Sequence, residues 1–290
     1  MKRKKNLLMT PKAVVSKKRK VDFSNGELFR GRSLSKDVAK LRPFILTCNN
    51  RLDTFEIFVK EYVKYKDTML KPIVFVGYNI PETRKRYDAL IQKLEPHIVI
   101  EQGRYYENDC IEKDVHRLWN NDYKHKGYLN TQKIMTKDFP ALALEHSNSN
   151  ENIIFFEDDG VFSRKFPEAI KLVSESLQLK ADFITLYSPD NGYHNRKLYK
   201  KSNKFAYPID GDTFYGNICV AFNRKVIKYL KSNWRKVEES SIAWDCRWGI
   251  SIKKGKFKMF ATTDAYVDHQ HGYSVLEQRN KKIKSGVFVK

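Results

Sequence analysis

No apolar run in the chain approaches the roughly 18 residues that a membrane-spanning helix needs, and Leu7-Leu8-Met9 is too short for the apolar core of a secretory leader. Cysteine is scarce. Cys48, Cys110, Cys219 and Cys246 are widely spread and show no paired spacing, which argues against a disulfide frame or a zinc site and for reduced, packed thiols. No internal repeat is evident, so solenoids and propellers are excluded. Together these absences lead to the expectation of a soluble intracellular protein without a transmembrane segment. Disorder is excluded too, since 290 residues with 41% apolar and 13% aromatic content are enough for a packed core.

Acid is missing from both ends. Residues 1–20 carry nine Lys or Arg and residues 279–290 carry five, with no Asp or Glu in either stretch, so the ends supply two thirds of the net charge of +21. Inside the body, basic residues gather late: Arg196 to Lys204, then Arg224, Lys225, Lys228, Lys231, Arg235 and Lys236, then Lys253 to Lys258. One side of the protein is therefore expected to be positive and to meet a polyanion, either nucleic acid or an anionic membrane or glycolipid. Ser16 to Val21, Ser-Lys-Lys-Arg-Lys-Val, also resembles a nuclear import signal.

Between those ends, strand and helix patterns alternate from Pro43, the signature of an α/β fold with a mostly parallel sheet. Strands are predicted at Pro43–Cys48, Ile73–Val76, Ile98–Ile100, Ile153–Phe156, Phe183–Leu186 and Ile218–Phe222. Met259–Thr262 and Tyr266–Val267 read as edge strands. Helical spacing covers Thr54–Tyr65, Glu82–Leu94, Asp109–Trp119, Thr131–Glu145, Phe166–Leu177 and Lys225–Leu230, and Ser188–Asp212 reads as a long loop suited to binding.

The chemistry concentrates at Glu157, Asp158 and Asp159, which follow directly on the apolar run Ile153 to Phe156. Such a run reads as a strand buried on both faces, so the acids stand at its C-terminal end, where open α/β sheets bind ligands. Packed like charges repel unless a cation or a cluster of donors offsets them. The simplest occupant is a hard divalent ion holding a substrate's phosphates.

Thr47-Cys48-Asn49-Asn50-Arg51 after the first strand, Phe156-Glu157-Asp158-Asp159 and Val267-Asp268-His269-Gln270-His271-Gly272 near the end resemble, in that order, motifs of nucleotide-sugar glycosyltransferases of the GT-A fold. The resemblance spans roughly residues 42–275. It implies a Rossmann-like sheet flanked by helices in a catalytic domain over 39–278, which lies between the basic arm over 1–38 and the basic tail over 279–290 that the charge distribution marks. Within that domain, 39–160 would be the nucleotide-sugar half and 161–278 the acceptor half. Glu at the head of the triplet and the additional His271 depart from the family's usual D-x-D pattern.

The resemblance also assigns roles. Asp159 would ligate the metal directly, Glu157 would orient or join that ligand set, and Asp158 would meet ribose or sugar hydroxyls. His269 and His271 are further candidate ligands, and an imidazole would favour Mn²⁺ over Mg²⁺. Thr47, Asn49 and Arg51 would receive the donor, such as a UDP-sugar, and Gly216 would allow backbone approach to its sugar. An acceptor hydroxyl must lose its proton as it attacks, and Asp245, between Trp244 and Cys246, is the candidate base for an inverting transfer, with Asp210 and Asp212 in reserve.

The basic ends and late segments favour DNA over an anionic glycolipid as acceptor, specifically a hydroxylated base of the kind that viral DNA-modifying glycosyltransferases use. That reading expects a cytoplasmic enzyme, in the host cytoplasm if viral, or a nuclear one in a eukaryote. A transferase acting on lipopolysaccharide is the alternative. More distant ones are a metal nuclease, or a nucleic-acid binder with no catalytic role for the acids.

Overall fold

The computed structural model describes residues 41–47, 52–76, 81–101, 137–187, 205–214, 216, 218–238, 244–270, 272–274 and 279–281. The predicted basic arm and the helix over 109–119 lie outside them. A central eight-stranded sheet runs in the order β3-β2-β1-β4-β8-β6-β9-β7. Its strands are β1 Leu41–Thr47, β2 Ile73–Val76, β3 Ile98–Glu101, β4 Asn152–Glu157, β6 Phe183–Thr185, β7 Ala206–Pro208, β8 Cys219–Phe222 and β9 Met259–Thr262. Only β7 and β8 run against the other six, so the sheet is mostly parallel as expected.

Helices cover both faces. On one side lie α1 Leu52–Tyr62, α2 Pro81–Lys93 and α4 Phe166–Leu179; on the other lie α3 Phe139–Glu145, α5 Arg224–Glu238 and α6 Trp244–Lys254. The alternation of β4 explains the division. Ile154 and Phe156 face the first layer while Ile153 and Phe155 face the second, and all four are fully buried. Two short ribbons complete the described structure: β5 Gly160–Phe162 pairs antiparallel with β10 Val267–His269, and β11 Gly272–Ser274 with β12 Arg279–Lys281.

Several elements differ from the sequence expectations. Met259–Thr262 is not an edge strand, because β7 pairs along its outer side. That edge strand lies within the segment read as a loop, where Ala206 and Tyr207 are buried against β9. Tyr266–Val267 belongs not to the main sheet but to the ribbon with β5. The predicted Lys225–Leu230 helix extends to Glu238. Its start is set by Asn223, whose side-chain Oδ1 accepts the Val226 N–H at 3.1 Å.

At the N-terminal end of the parallel strands, Arg42 and Glu151 form a buried two-pronged ion pair, with Nε donating at 2.9 Å and Nη2 at 2.8 Å. Burial pushes the Glu151 carboxyl up, but bonds from Arg42 and from the side chain and backbone of Asn148 outweigh it and hold the group below its ordinary value. The stabilisation is therefore complete above the unfolded carboxylate value and is lost as pH falls through the lower folded one. Glu151→Gln should destabilise the protein by about 3 kcal/mol at neutral pH, because it leaves a buried guanidinium without its charge partner. Denaturant unfolding of both proteins checks this: the gap should narrow below roughly pH 4, and a pH-independent gap would contradict the ion-pair account.

Candidate functional site

Glu157 ends β4, Asp158 and Asp159 form a turn, and Gly160 starts β5. The turn is held from below by aromatic rings. Phe156 before it and Phe162 after it lie 5.7 Å apart, and Phe162 also meets Phe58 at 5.5 Å and Phe166 at 4.7 Å. Gly160 lets the ribbon close, since a Cβ there would stand 3.1 Å from Val267 and 3.3 Å from Ile218. Packing fixes the turn before any ligand arrives.

The same packing withdraws the acids from water: Asp158 is 2% exposed and Asp159 4%, while Glu157 is half-buried. Each buried carboxylate meets a donor from another part of the chain. Thr47, the last residue of β1, donates its hydroxyl to Asp158 Oδ2 at 2.7 Å. Because β1 and β4 are parallel with Leu46 beside Glu157, Thr47 arrives level with Asp158. On the other side, β10 places His269 opposite Gly160, and its Nε2 lies 3.1 Å from Asp159 Oδ2.

The strand carrying His269 is itself anchored. Gln270 donates its backbone N–H to the Asp159 carbonyl at 2.7 Å and its side-chain amide to the Thr54 carbonyl at 3.0 Å, tying the acid turn to α1. Asp268 Oδ1 accepts the His269 N–H at 2.9 Å, and His269 Nδ1 lies 2.8 Å from the Gln270 carbonyl. Burial works against a charge on His269, but the charge and hydrogen bond of Asp159, the Gln270 carbonyl and the charge of Glu157 outweigh it and push the ring up to about 9. At neutral pH the imidazolium offsets the acid corner.

Among the described residues, no group of three or more His, Cys, Asp or Glu forms a preformed metal cage. What the corner offers is an oxygen donor and a nitrogen donor in contact, Asp159 and His269, beside two more carboxylates. That set fits a divalent ion drawing its other ligands from a substrate, and fits poorly a structural ion enclosed by protein.

The remaining sequence candidates fall into three groups. Asn49, Arg51 and His271 lie outside the described residues. Gly216 has φ of +85°, and a Cβ would stand 2.8 Å from the Tyr187 ring, so glycine is needed there whatever binds nearby. Asp245 is the second residue of α6. The helix leads into β9, which runs parallel to β4 through the β6 and β8 pairings, so its first turn faces the sheet end that carries the acids.

The reserve acids are placed elsewhere. Asp210 and Asp212 sit on a short turn at the start of β9, the opposite end of the sheet, and both are engaged by the Lys253 ammonium. That turn is locked to α6 by two glycines, since a Cβ on Gly211 would stand 2.1 Å from the Gly249 carbonyl oxygen. Sequence reading had missed Gln270 and strand β5; the alternation in Gly160-Val161-Phe162 was the available signal for the strand.

Comparison with known proteins bears on the fold alone. No protein-family model matches the sequence, and no curated protein matches it. Among solved structures, the chain is similar to core-mannan synthase A from Aspergillus fumigatus in its Mn/GDP form, with a TM-score of 0.51 at 9% identity over 92% of this chain and 84% of that one. A mannosyltransferase from Pyrobaculum calidifontis in complex with GDP-Man and Mn²⁺ gives 0.45 at 13% identity, over 79% of this chain and 58% of that one. The galactosyltransferase LgtC with donor and acceptor sugar analogues gives 0.44 at 11% identity, over 80% and 87%. The chain thus has the GT-A fold, a mixed α/β architecture with a mostly parallel central sheet.

The Thr47 hydroxyl has a testable role in aiming Asp158. Thr47→Val keeps the shape and removes the donor, leaving a buried carboxylate short of one hydrogen bond, whereas Thr47→Ser keeps it. Any activity that uses the corner should fall roughly 10- to 100-fold in the valine variant and recover in the serine one. Equal activity in both variants, with folding confirmed by thermal melts, would contradict that role.

Proposed function

We propose that the protein is a metal-dependent glycosyltransferase that moves a sugar from a nucleotide-sugar donor, such as a UDP-sugar, to an acceptor hydroxyl. The observation that carries the proposal is the buried Asp158-Asp159 turn at the C-terminal sheet edge, with Thr47 on one carboxylate and His269 on the other. The fold shared with a mannan synthase in its Mn/GDP form supports it. Asp159 and His269 would hold Mn²⁺, or Mg²⁺, with Glu157 in support and His271 a further candidate. Bound there, the ion would stabilise the negative charge of the departing nucleoside diphosphate.

The chain's own residues do the rest. Asp158, aimed by Thr47, presents its carboxylate to hydroxyls of the donor's ribose or sugar, and Asn49 and Arg51, which come next in sequence after β1, are the candidates to receive the rest of the nucleoside. Asp245, in the first turn of α6, takes the acceptor's proton as the hydroxyl attacks, on the face of the sugar opposite the diphosphate. Attack from that face would invert the anomeric carbon.

Thermal melts test donor and metal together. At about 100 times its dissociation constant, the correct donor with Mn²⁺ should stabilise the fold by roughly 2.7 kcal/mol. UDP- and GDP-sugars are both to be tried. Asp159→Asn should abolish the metal-dependent part, whereas Asp245→Asn should leave the shift intact and lower turnover by about 10²- to 10⁴-fold. A metal-dependent shift that no nucleotide modifies would favour a nuclease instead.

For the acceptor we favour DNA carrying a hydroxylated base. The net charge of +21 and the acid-free ends support a polyanion, and a base leaving the stack would expose its hydroxyl to the corner. Affinity for plain duplex should fall steeply with salt, and removal of residues 1–38 should flatten the slope. A salt-independent response would favour a membrane glycan.

A further inference from the structure

The late basic residues are not equivalent in the structure. Arg224 turns inward, donating to the Leu144 carbonyl at 3.1 Å, the Asn148 carbonyl at 2.8 Å and Ser147 Oγ at 2.6 Å, so it closes the C-terminal end of α3. Lys225, Lys228, Lys231 and Arg235 are instead exposed. Steps of three, three and four residues place these four on one face of α5, opposite the buried Val226, Ile227 and Leu230. The row extends over about 15 Å at the helical rise.

Its setting favours an anion of extended shape. α5 has no Asp or Glu before Glu238. Near its C-terminal end, Trp234 is flanked by Arg235, with Cζ 5.4 Å from the ring centroid, and by Lys137, with Nζ at 5.0 Å, so the row continues onto the segment entering α3. Direction matters as well. α5 follows β8, which runs against β4, so the helix starts at the sheet end away from the acids and climbs towards the end that holds them.

We propose that the α5 face formed by Lys225, Lys228, Lys231 and Arg235 is the track on which the phosphate backbone of duplex DNA lies while a base is presented to the acid corner. This rests on the DNA reading of the acceptor given above. A membrane surface fits less well. The apolar face of α5 is used in the core, and the exposed side chains among its described residues, Lys225, Lys228, Lys231, Ser232 and Arg235, are all polar or charged. Four cations in line match a linear array of phosphates, each neutralised contact releasing a counterion.

The test is a salt titration of the full chain on an unmodified 30-base-pair duplex, followed by fluorescence anisotropy. The quadruple variant Lys225→Gln, Lys228→Gln, Lys231→Gln, Arg235→Gln should lower the slope of log K against log salt by about 3 to 4. Its thermal melt and its donor-plus-Mn²⁺ shift should match the wild type. An unchanged slope would overturn the proposal, as would a variant that loses binding to phosphatidylserine vesicles while keeping its affinity for the duplex. Failure of the wild type to bind duplex, with its donor shift intact, would sink the track and the DNA acceptor together but leave the transferase reading standing. Absence of the donor shift with the slope change present would sink the transferase reading and leave the α5 face as a duplex-binding surface alone.

Discussion

Two carboxylates at the end of a buried strand must be held against their own repulsion and against the loss of water, and this constraint organises the surrounding structure. Asp158 and Asp159 are nearly inaccessible, and a buried carboxylate is tolerated only when donors or a cation face it. The donors come from two distant segments: Thr47 from β1 and His269 from β10, the latter held in place by the Gln270 N–H on the Asp159 main-chain carbonyl. Bringing those segments together requires the parallel β1–β4 pairing, the β5–β10 ribbon and the ring cluster beneath the turn. The acid corner is thus a product of the whole sheet, and its geometry is rigid because its supports are core elements.

The charge balance of the corner also bears on its chemistry. With His269 protonated at neutral pH, the metal-free protein already carries a cation against Asp159. A divalent ion in the same place would use the ring as a neutral donor, so proton and metal compete for one position. Competition of that kind would let the corner keep its charge balance without a metal and take one up together with a substrate diphosphate. That behaviour suits an ion that arrives and leaves with its substrate.

The strand beneath the acids was legible because four large apolar residues meet three carboxylates with no turn residue between them. The corner's partners were only half legible. His269 stood out by its motif, and Thr47 by its position after the first strand, but the bond between Thr47 and Asp158 depends on a register that sequence spacing does not reveal. Gly211 and Gly249 gave no local signal, since each is required by the other's carbonyl across the fold. β7 escaped notice for a related reason: Ala206-Tyr207-Pro208 is too short for periodicity, and its strand character comes from pairing with β9. Charge was the least resolved of all, because a count of lysines could not separate Arg224, which closes α3, from its exposed neighbours on α5.

The central claim is that a cation and a diphosphate meet at Asp159. Anomalous diffraction from crystals grown with Mn²⁺ and a nucleoside diphosphate tests it most directly. The account predicts a single strong manganese peak bonded to the Asp159 carboxylate and to oxygens of both phosphates, with the nucleoside lying towards the end of β1. A nucleotide bound elsewhere, or a corner in which His269 still pairs with Asp159 and no manganese appears, would contradict it.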